Sequence, residues 1–155
     1  RAGRGDDLLA LRKYAQGDSH RLIHWKASAR LGHLMIRQFA AESHDGYALR
    51  LDTSADVWTR PEQFELLCSF VATMAEDLFA TSRLRGVSIN GGSLLQARRV
   101  RDLEALLDDL ALLQRVEKPG ARIGEREGSA NIITFAPDGA RGVAAYVDGY
   151  QAASA

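Results

Sequence analysis

Apolar residues recur with helical spacing along the middle of the chain. Thr59-Arg60-Pro61-Glu62 has the form of a capping box, with proline in the first turn where its missing N–H costs nothing. The apolar positions that follow are Phe64, Leu67, Cys68, Val71, Ala75, Leu78 and Phe79. They predict a long amphipathic helix that ends before Gly86. A second helix is predicted from about residue 102 to 114, and its inward positions are Leu103, Leu106, Leu107, Leu110 and Leu113.

Short apolar runs bounded by turn residues predict the strands. These runs cover residues 8–14, 34–39, 47–51, 87–89 and 131–135. Asp45-Gly46, between the second run and the third, is a hairpin signal. Residues 142–150 fit a strand as well as a helix, and residues 21–30 fit a short helix or a turn.

The order of these elements predicts an α/β fold. Strands alternate with amphipathic helices after residue 47, which indicates a mainly parallel sheet flanked by helices. The first forty-odd residues, with their Asp-Gly hairpin, add an antiparallel β extension. A chain of 155 residues is long enough for one domain that needs neither a disulfide nor a metal for stability. We therefore expect a single domain over residues 1–155.

The net charge and the distribution of charged residues indicate which kinds of partner the chain could bind. The chain has 20 basic and 20 acidic residues and a formal net charge of +0, which argues against general nucleic-acid binding. The first forty residues are nevertheless basic, with eight lysines and arginines against three aspartates. A positive face there would suit an acidic partner or anionic lipid headgroups. The alternative is a solvated face whose charges are paired with the acidic remainder of the chain.

The single cysteine, Cys68, lies within the long helical pattern, so we expect a buried, inert thiol. One cysteine gives no disulfide framework, and a reducing compartment is the natural interpretation. The sequence has no Gly-x-Ser-x-Gly elbow, the motif typical of many serine hydrolases, and no Walker motif, which is typical of nucleotide hydrolases. It therefore gives no indication of either activity. His20 and His24 are four residues apart and would share a helix face, as zinc sites require, but Gly17-Asp18 favours a turn beside His20.

Residues 11–39 read LRKYAQGDSHRLIHWKASARLGHLMIRQF. This segment resembles the signature of the bacterial domain of unknown function 58 family, in which an arginine and an aromatic residue precede Gly-Asp. An arginine, an apolar residue, and His or Asp then precede tryptophan, and an Ala-Arg pair follows. The matching residues are Arg12, Tyr14, Gly17, Asp18, Arg21, Ile23, Trp25, Ala29 and Arg30. After this signature the family has a strand that leads into an acidic loop, as residues 49–54 do.

The resemblance implies a von Willebrand factor type A-like (Rossmann-like) domain. Residues 1–45 would be the signature-bearing extension, and residues 46–155 the type A-like core. Relatives are often tethered to the membrane by N-terminal helices and encoded beside MoxR-type AAA+ ATPases. We therefore expect this chain to be a soluble fragment of a membrane-tethered parent, at the cytoplasmic face, with such an ATPase as partner. The family has no established catalytic activity.

The resemblance also implies a candidate metal site. Type A domains often bind Mg²⁺ through an Asp-x-Ser-x-Ser motif after the first parallel strand. Here Asp52 and Ser54 occupy the first two positions, and Asp56 stands where the motif has its last Ser, which would weaken the pull of the site on a partner carboxylate. Hard oxygen ligands of this kind suit Mg²⁺. Ser93 and Asp138 are further candidates by position alone. The alternative is that Asp52, Ser54 and Asp56 only cap and turn the loop before the helix.

Arg21, Trp25 and Arg30 form a candidate partner-binding cluster, because tryptophan and arginine dominate protein interfaces. The favoured alternative is structural: Trp25 fills a gap between the N-terminal segment and the sheet, and Asp18 bridges to Arg21 or Arg30. In sum, the sequence predicts a non-enzymatic interaction or adaptor domain. The alternative function is a metal-dependent hydrolase with its site near Asp52 and Ser54.

Overall fold

The computed structural model describes residues 8–39, 46–117 and 131–155. The strands are β1 (Leu8–Lys13), β2 (Met35–Phe39), β3 (Tyr47–Leu51), β4 (Leu84–Ile89), β5 (Ile132–Asp138), β6 (Gly142–Val147) and β7 (Tyr150–Ser154). The helices are α1 (Trp25–Leu31), α2 (Pro61–Ala80) and α3 (Val100–Ala111), and a short 3-10 helix covers His20–Leu22. The fold is mixed α/β, as the sequence predicts.

β3 lies inside a five-stranded sheet with the strand order β4-β3-β5-β6-β7. It is parallel to both of its neighbours, and the connections between these strands contain α2 and α3. β5, β6 and β7 are antiparallel to one another. The sheet is therefore mixed, and the predicted parallel arrangement holds only for β3, β4 and β5.

A tight turn explains why β7 runs antiparallel to β6. Asp148-Gly149 links β6 to β7, with φ of 48° at Asp148 and 89° at Gly149. Positive φ at both positions is what a two-residue type I′ hairpin turn requires, and glycine adopts it without a steric penalty. The ambiguous residues 142–150 are thus a strand, a turn and the start of another strand.

β1 and β2 form a separate antiparallel pair, which confirms the predicted β extension. The predicted hairpin across Asp45-Gly46 was wrong, because β2 pairs with β1 whereas β3 pairs with β4 and β5. β3 is buried along almost its whole length, which suits an interior parallel strand better than a hairpin arm. Residues 43–45 of the predicted turn lie outside the described residues.

α2 confirms the predicted long helix, but not its cap. The residue before the helix is Arg60, which makes no side-chain capping bond, and Pro61 occupies the first helical position. The carbonyl oxygen of Thr59 accepts a hydrogen bond from Arg115 Nη1 at 3.1 Å, so a distant side chain fixes this entry to the helix. α3 confirms the second predicted helix with earlier bounds, and its buried residues are Leu103, Leu106 and Leu110.

The core forms where α2 packs against the central sheet. Phe70 of α2 meets Phe135 of β5 edge to face, with 5.8 Å between the ring centroids. Leu49 and Leu51 of β3 are buried in the same cluster. Within residues 8–39, 46–117 and 131–155, no helix has both the length and the apolar character that a membrane span needs.

Candidate functional site

The loop after β3 lies where the sequence predicts a metal site. Asp52 directly follows β3, between two parallel neighbours, at the end of the sheet where ligands gather in open α/β folds. Its Oδ1 accepts a hydrogen bond from the Ser54 N–H at 2.8 Å. Its backbone oxygen accepts one from Trp58 Nε1 at 2.7 Å, and the Trp58 ring is completely buried. Asp52 therefore holds a turn, and Trp58 packs beneath it.

Asn90, which follows β4, clamps the same loop. Its Oδ1 accepts the Thr53 N–H at 2.8 Å, and its Nδ2 donates to Thr53 Oγ1 at 2.7 Å. Thr53 is fully buried and Asn90 is half-buried, so this pair of hydrogen bonds is partly shielded from water. Asn90 has a φ of 53°, a conformation that asparagine adopts more readily than most residues. Sequence reasoning missed this contact, since nothing local links two residues 37 positions apart.

The segment after α3 closes the loop from another side. Ser54 and Val116 form a parallel bridge, and the Val116 N–H donates to the Thr53 carbonyl at 3.0 Å. Arg115 Nη1 donates to the Trp58 carbonyl at 2.9 Å. Contacts within the chain thus fix the loop on several sides.

The predicted Mg²⁺ ligands fit a turn better than a metal site. Asp52 caps the turn, Ser54 is buried and Asp56 is exposed. The two positional candidates, Ser93 and Asp138, are exposed after β4 and at the end of β5. No three His, Cys, Asp or Glu side chains among the described residues are grouped so as to hold a metal ion. The magnesium site stays a prediction: Asp52 lies at the strand end where type A domains would hold the ion, but no such group of ligands surrounds it among the described residues.

Trp25 is 68% exposed at the first position of α1. The interpretation that Trp25 fills a gap in the packing was therefore wrong. The buried residues of α1 are Ala27 and Leu31, which are four apart and so share one face. At about 100° per residue, Trp25 lies about 200° from Ala27 around the helix and projects from the opposite face.

His24 fastens the start of α1 to α2. Its Nδ1 accepts the Ala27 N–H at 3.1 Å as the helix N-cap, and its Nε2 lies 3.0 Å from Asp77 Oδ1. Because Nδ1 is an acceptor, the ring proton sits on Nε2 and is donated to the carboxylate. Both ring nitrogens are engaged, so His24 offers no lone pair to zinc or to a substrate proton.

A second contact between α1 and α2 involves Glu76. Its Oε2 accepts from Lys26 Nζ at 2.7 Å, and its Oε1 lies 2.6 Å from Arg30 Nη1. Burial alone would raise the pKa of the Glu76 carboxyl, but the hydrogen bonds from Lys26 and Arg30 outweigh it and hold this pKa below its ordinary value. Arg30, a predicted partner-binding residue, is thus ion-paired within the chain. Arg21 is exposed in the 3-10 helix.

Asp18 pairs with Arg12, not with Arg21 or Arg30 as the structural interpretation of the cluster expected. Both Arg12 terminal nitrogens donate to its carboxylate at 2.8 Å, and the Ala15 N–H donates at 2.7 Å. The Arg12 hydrogen bonds, followed by the one from Ala15, lower the pKa of Asp18 to about 2. The Gly17-Asp18 turn is therefore held against β1 by the ion pair between Asp18 and Arg12.

Cys68 is half-buried on α2. Burial, followed by the charge of Glu65, raises the pKa of its thiol to about 11. The predicted buried thiol is thus only half-buried, and because nucleophilic attack and metal binding both need the thiolate, its raised pKa favours the inert thiol form.

Asp52 and Trp25 lie at opposite ends of α2. This helix begins shortly after the Asp52 loop and, at 20 residues and 1.5 Å per residue, is about 30 Å long. Asp77, which binds His24, is in its last turn. The exposed tryptophan is therefore near the end of the sheet where the parallel strands begin.

Residues 10–84 match the family model described as Protein of unknown function DUF58. The matched stretch contains the whole signature segment, residues 11–39, together with β3 and α2. The match supports the domain of unknown function 58 family. No curated protein and no solved structure matches the chain.

Proposed function

We propose that this domain, which carries the domain of unknown function 58 signature within residues 10–84, is a non-enzymatic protein-interaction module. Its docking site is the Trp25 surface, made of Arg21, Trp25 and Arg30. The observation that carries the proposal is the 68% exposure of Trp25 on a helix whose first turn is anchored by a buried histidine.

The anchoring matters because a docking residue is most effective when its backbone is already ordered. His24 caps α1 and hydrogen-bonds to Asp77. Lys26 and Arg30 form ion pairs with Glu76. A partner then orders only one side chain, which keeps the entropic cost of binding small. An exposed tryptophan on a rigid support is the type of residue that dominates interface energetics.

The charges near Trp25 point to an acidic partner. Arg21 and Lys26, on either side of it in sequence, are exposed. Lys26 already contacts Glu76, so Arg21 is the cation with more freedom to steer a partner. The family resemblance suggests a MoxR-type AAA+ ATPase, and a parent protein tethered at the cytoplasmic face of the membrane.

We also propose that residues 46–155 form a von Willebrand factor type A-like core. The supporting observation is the parallel arrangement of β4, β3 and β5 with helices in the connections. In such a core the Trp25 surface, carried by the N-terminal extension, lies away from the loop end where type A domains bind metal.

A capture experiment from the native host tests the interaction proposal. Immobilised wild type, Trp25→Ala and Tyr150→Ala are compared, and retained proteins are identified by mass spectrometry. Tyr150 is the matched control because its ring is 81% exposed on β7. We expect wild type and Tyr150→Ala to retain the ATPase and Trp25→Ala to lose it. Equal retention by all three would remove Trp25 from the interface.

The second candidate is a metal-dependent hydrolase near Asp52 and Ser54. It is favoured by the place of Asp52 at the end of β3, between two parallel strands. Calorimetric titration of Mg²⁺ and Mn²⁺ into wild type and Asp52→Ala tests it. Binding heat that Asp52→Ala abolishes would support the site, and equal heats from both proteins would end it.

A further inference from the structure

Residues 94–101 form a second exposed surface, which neither the Trp25 surface nor the Asp52 loop uses. Its apolar side chains are Leu94, Leu95 and Val100, exposed by 39%, 43% and 62%. Its cations are Arg98, Arg99 and Arg101, all exposed. Apolar and basic side chains are thus interleaved within eight consecutive residues.

This 94–101 surface has a fixed backbone. The Leu95 N–H donates to the Val87 carbonyl at 2.8 Å, and the Val87 N–H donates back to Leu95 at 3.0 Å. This antiparallel bridge carries the chain back along the edge of β4. Leu94 lies against Gly86, where an added Cβ would come within 2.9 Å of Leu94 Cγ. The side chains are therefore displayed from an ordered edge, not from a free loop.

The arginines do not stabilise the helix that they flank. They lie at the start of α3, where the helix dipole is positive and cations are unfavourable, while Asp108 and Asp109 lie toward its negative end. Asp102 caps the helix, since its Oδ2 accepts the Arg98 and Arg99 N–H groups at 3.2 and 3.0 Å. Among the described residues, the ion pairs are made by other cations. An external anion beside these arginines would offset the unfavourable interaction between their charges and the positive end of the helix dipole.

We propose that the 94–101 surface docks on the anionic phospholipid headgroups of a membrane. Arg98, Arg99 and Arg101 contact phosphate oxygens, which the planar guanidinium binds in a bidentate manner. Leu95 and Val100 reach the boundary between headgroups and acyl chains. A bilayer offers phosphates to the arginines and acyl chains to the apolar side chains. An acidic peptide would contact the arginines but leave the apolar side chains exposed to water. This surface is separate from the Trp25 surface and does not depend on it.

Vesicle co-sedimentation tests the proposal with phosphatidylcholine alone and with phosphatidylcholine mixed with phosphatidylserine. Wild type should sediment with the anionic vesicles only, and less so as salt is raised. Each basic residue near the surface contributes about fivefold in partitioning. Arg98→Glu/Arg99→Glu/Arg101→Glu should therefore lower the partition coefficient by about 100-fold or more.

The matched control is Arg37→Glu/Arg60→Glu/Arg141→Glu. It makes the same change in net charge at three other exposed positions and should keep vesicle binding. The test variant should be no less stable than wild type, because glutamates suit a helix N-terminus, so a loss of binding is not a loss of fold. Trp25→Ala should bind vesicles as wild type does, which separates this result from the fate of the interaction proposal.

Leu95→Ser/Val100→Ser tests the apolar contribution separately. It should weaken sedimentation while leaving the dependence on salt unchanged. The proposal is overturned if wild type sediments equally with neutral and anionic vesicles, or with neither. It is overturned as well if both charge-reversal variants lose binding to the same extent. Binding of polyglutamate but not of vesicles would assign the surface to an acidic protein instead.

Discussion

His24 Nε2 lies 3.0 Å from Asp77 Oδ1, and this hydrogen bond joins the residue just before the exposed Trp25 to the last turn of α2. The same ring caps α1 through Nδ1. One side chain thus orders the helix start and ties it to the core. The Trp25 surface is rigid for this reason, and its rigidity can be measured independently of any partner.

His24→Ala should lower the free energy of unfolding by about 2–3 kcal/mol. The N-cap contributes about 1 kcal/mol, and the Asp77 carboxylate, whose Oδ2 is buried without a partner, loses its hydrogen bond. Asp77→Asn keeps an acceptor for His24 and should cost less. Urea unfolding followed by circular dichroism measures both variants. A His24→Ala protein within 0.5 kcal/mol of wild type, about the scatter of surface substitutions, would refute the anchoring role.

Glu76→Gln should destabilise the fold at neutral pH and have little effect in strong acid. The folded-state pKa of Glu76 is held below its ordinary value of 4.5, so its charged form stabilises the fold above that pH. This contribution is lost as the pH falls through the folded-state pKa. Lys26 and Arg30 are partly exposed, so the neutral-pH effect is about 1 kcal/mol. Glu65→Gln, exposed on the same helix, is the control. A pH-independent difference would argue against the ion pairs.

The Asp18 carboxyl should titrate with a pKa of about 2, and Arg12→Gln should raise this pKa toward the ordinary 3.8. The Arg12 hydrogen bonds are the largest cause of the shift, and the Ala15 N–H keeps part of it in the variant. The stabilisation that Asp18 provides is lost as the pH falls through about 2. Side-chain carboxyl shifts in an NMR titration report the midpoint. An unchanged midpoint in Arg12→Gln, with Lys13→Gln as the control, would show that the pair does not form.

Asn90→Ala should cost about 2–3 kcal/mol, because it removes two hydrogen bonds to the buried Thr53 and places alanine in a left-handed conformation. Asn90→Gly loses the same hydrogen bonds without the backbone strain, and so should be more stable than Asn90→Ala. Thermal unfolding of both variants separates the two contributions. Wild-type stability in Asn90→Ala would mean that the clamp contributes nothing.

Local patterns predicted the elements better than they predicted the pairing of strands. The 3.6-residue spacing located α2, and the apolar run at residues 47–51 located β3. The pairing and direction of the strands were harder to predict, because an apolar run does not show which other strand lies beside it in the sheet. Asp45-Gly46 was interpreted as a hairpin signal, yet it is the same dipeptide at Asp148-Gly149 that forms the tight hairpin turn.

The candidate sites show the same limit. The sequence placed Asp52 correctly at the end of an interior parallel strand. It could not reveal that Asn90 and Trp58 hold that loop, since both contacts depend on the folded chain. Trp25 was expected to pack because tryptophans usually do, whereas its angular distance from Ala27 and Leu31 on α1 puts it in solvent.

The affinity of a purified MoxR-type AAA+ ATPase from the same host for this domain tests the interaction proposal most directly. Isothermal titration calorimetry should give a Kd that rises at least about 30-fold in Trp25→Ala, as expected for an interface hot spot of 2 kcal/mol or more. Tyr150→Ala should bind as wild type does. Equal affinity of wild type and Trp25→Ala, or no binding by either, would contradict the account.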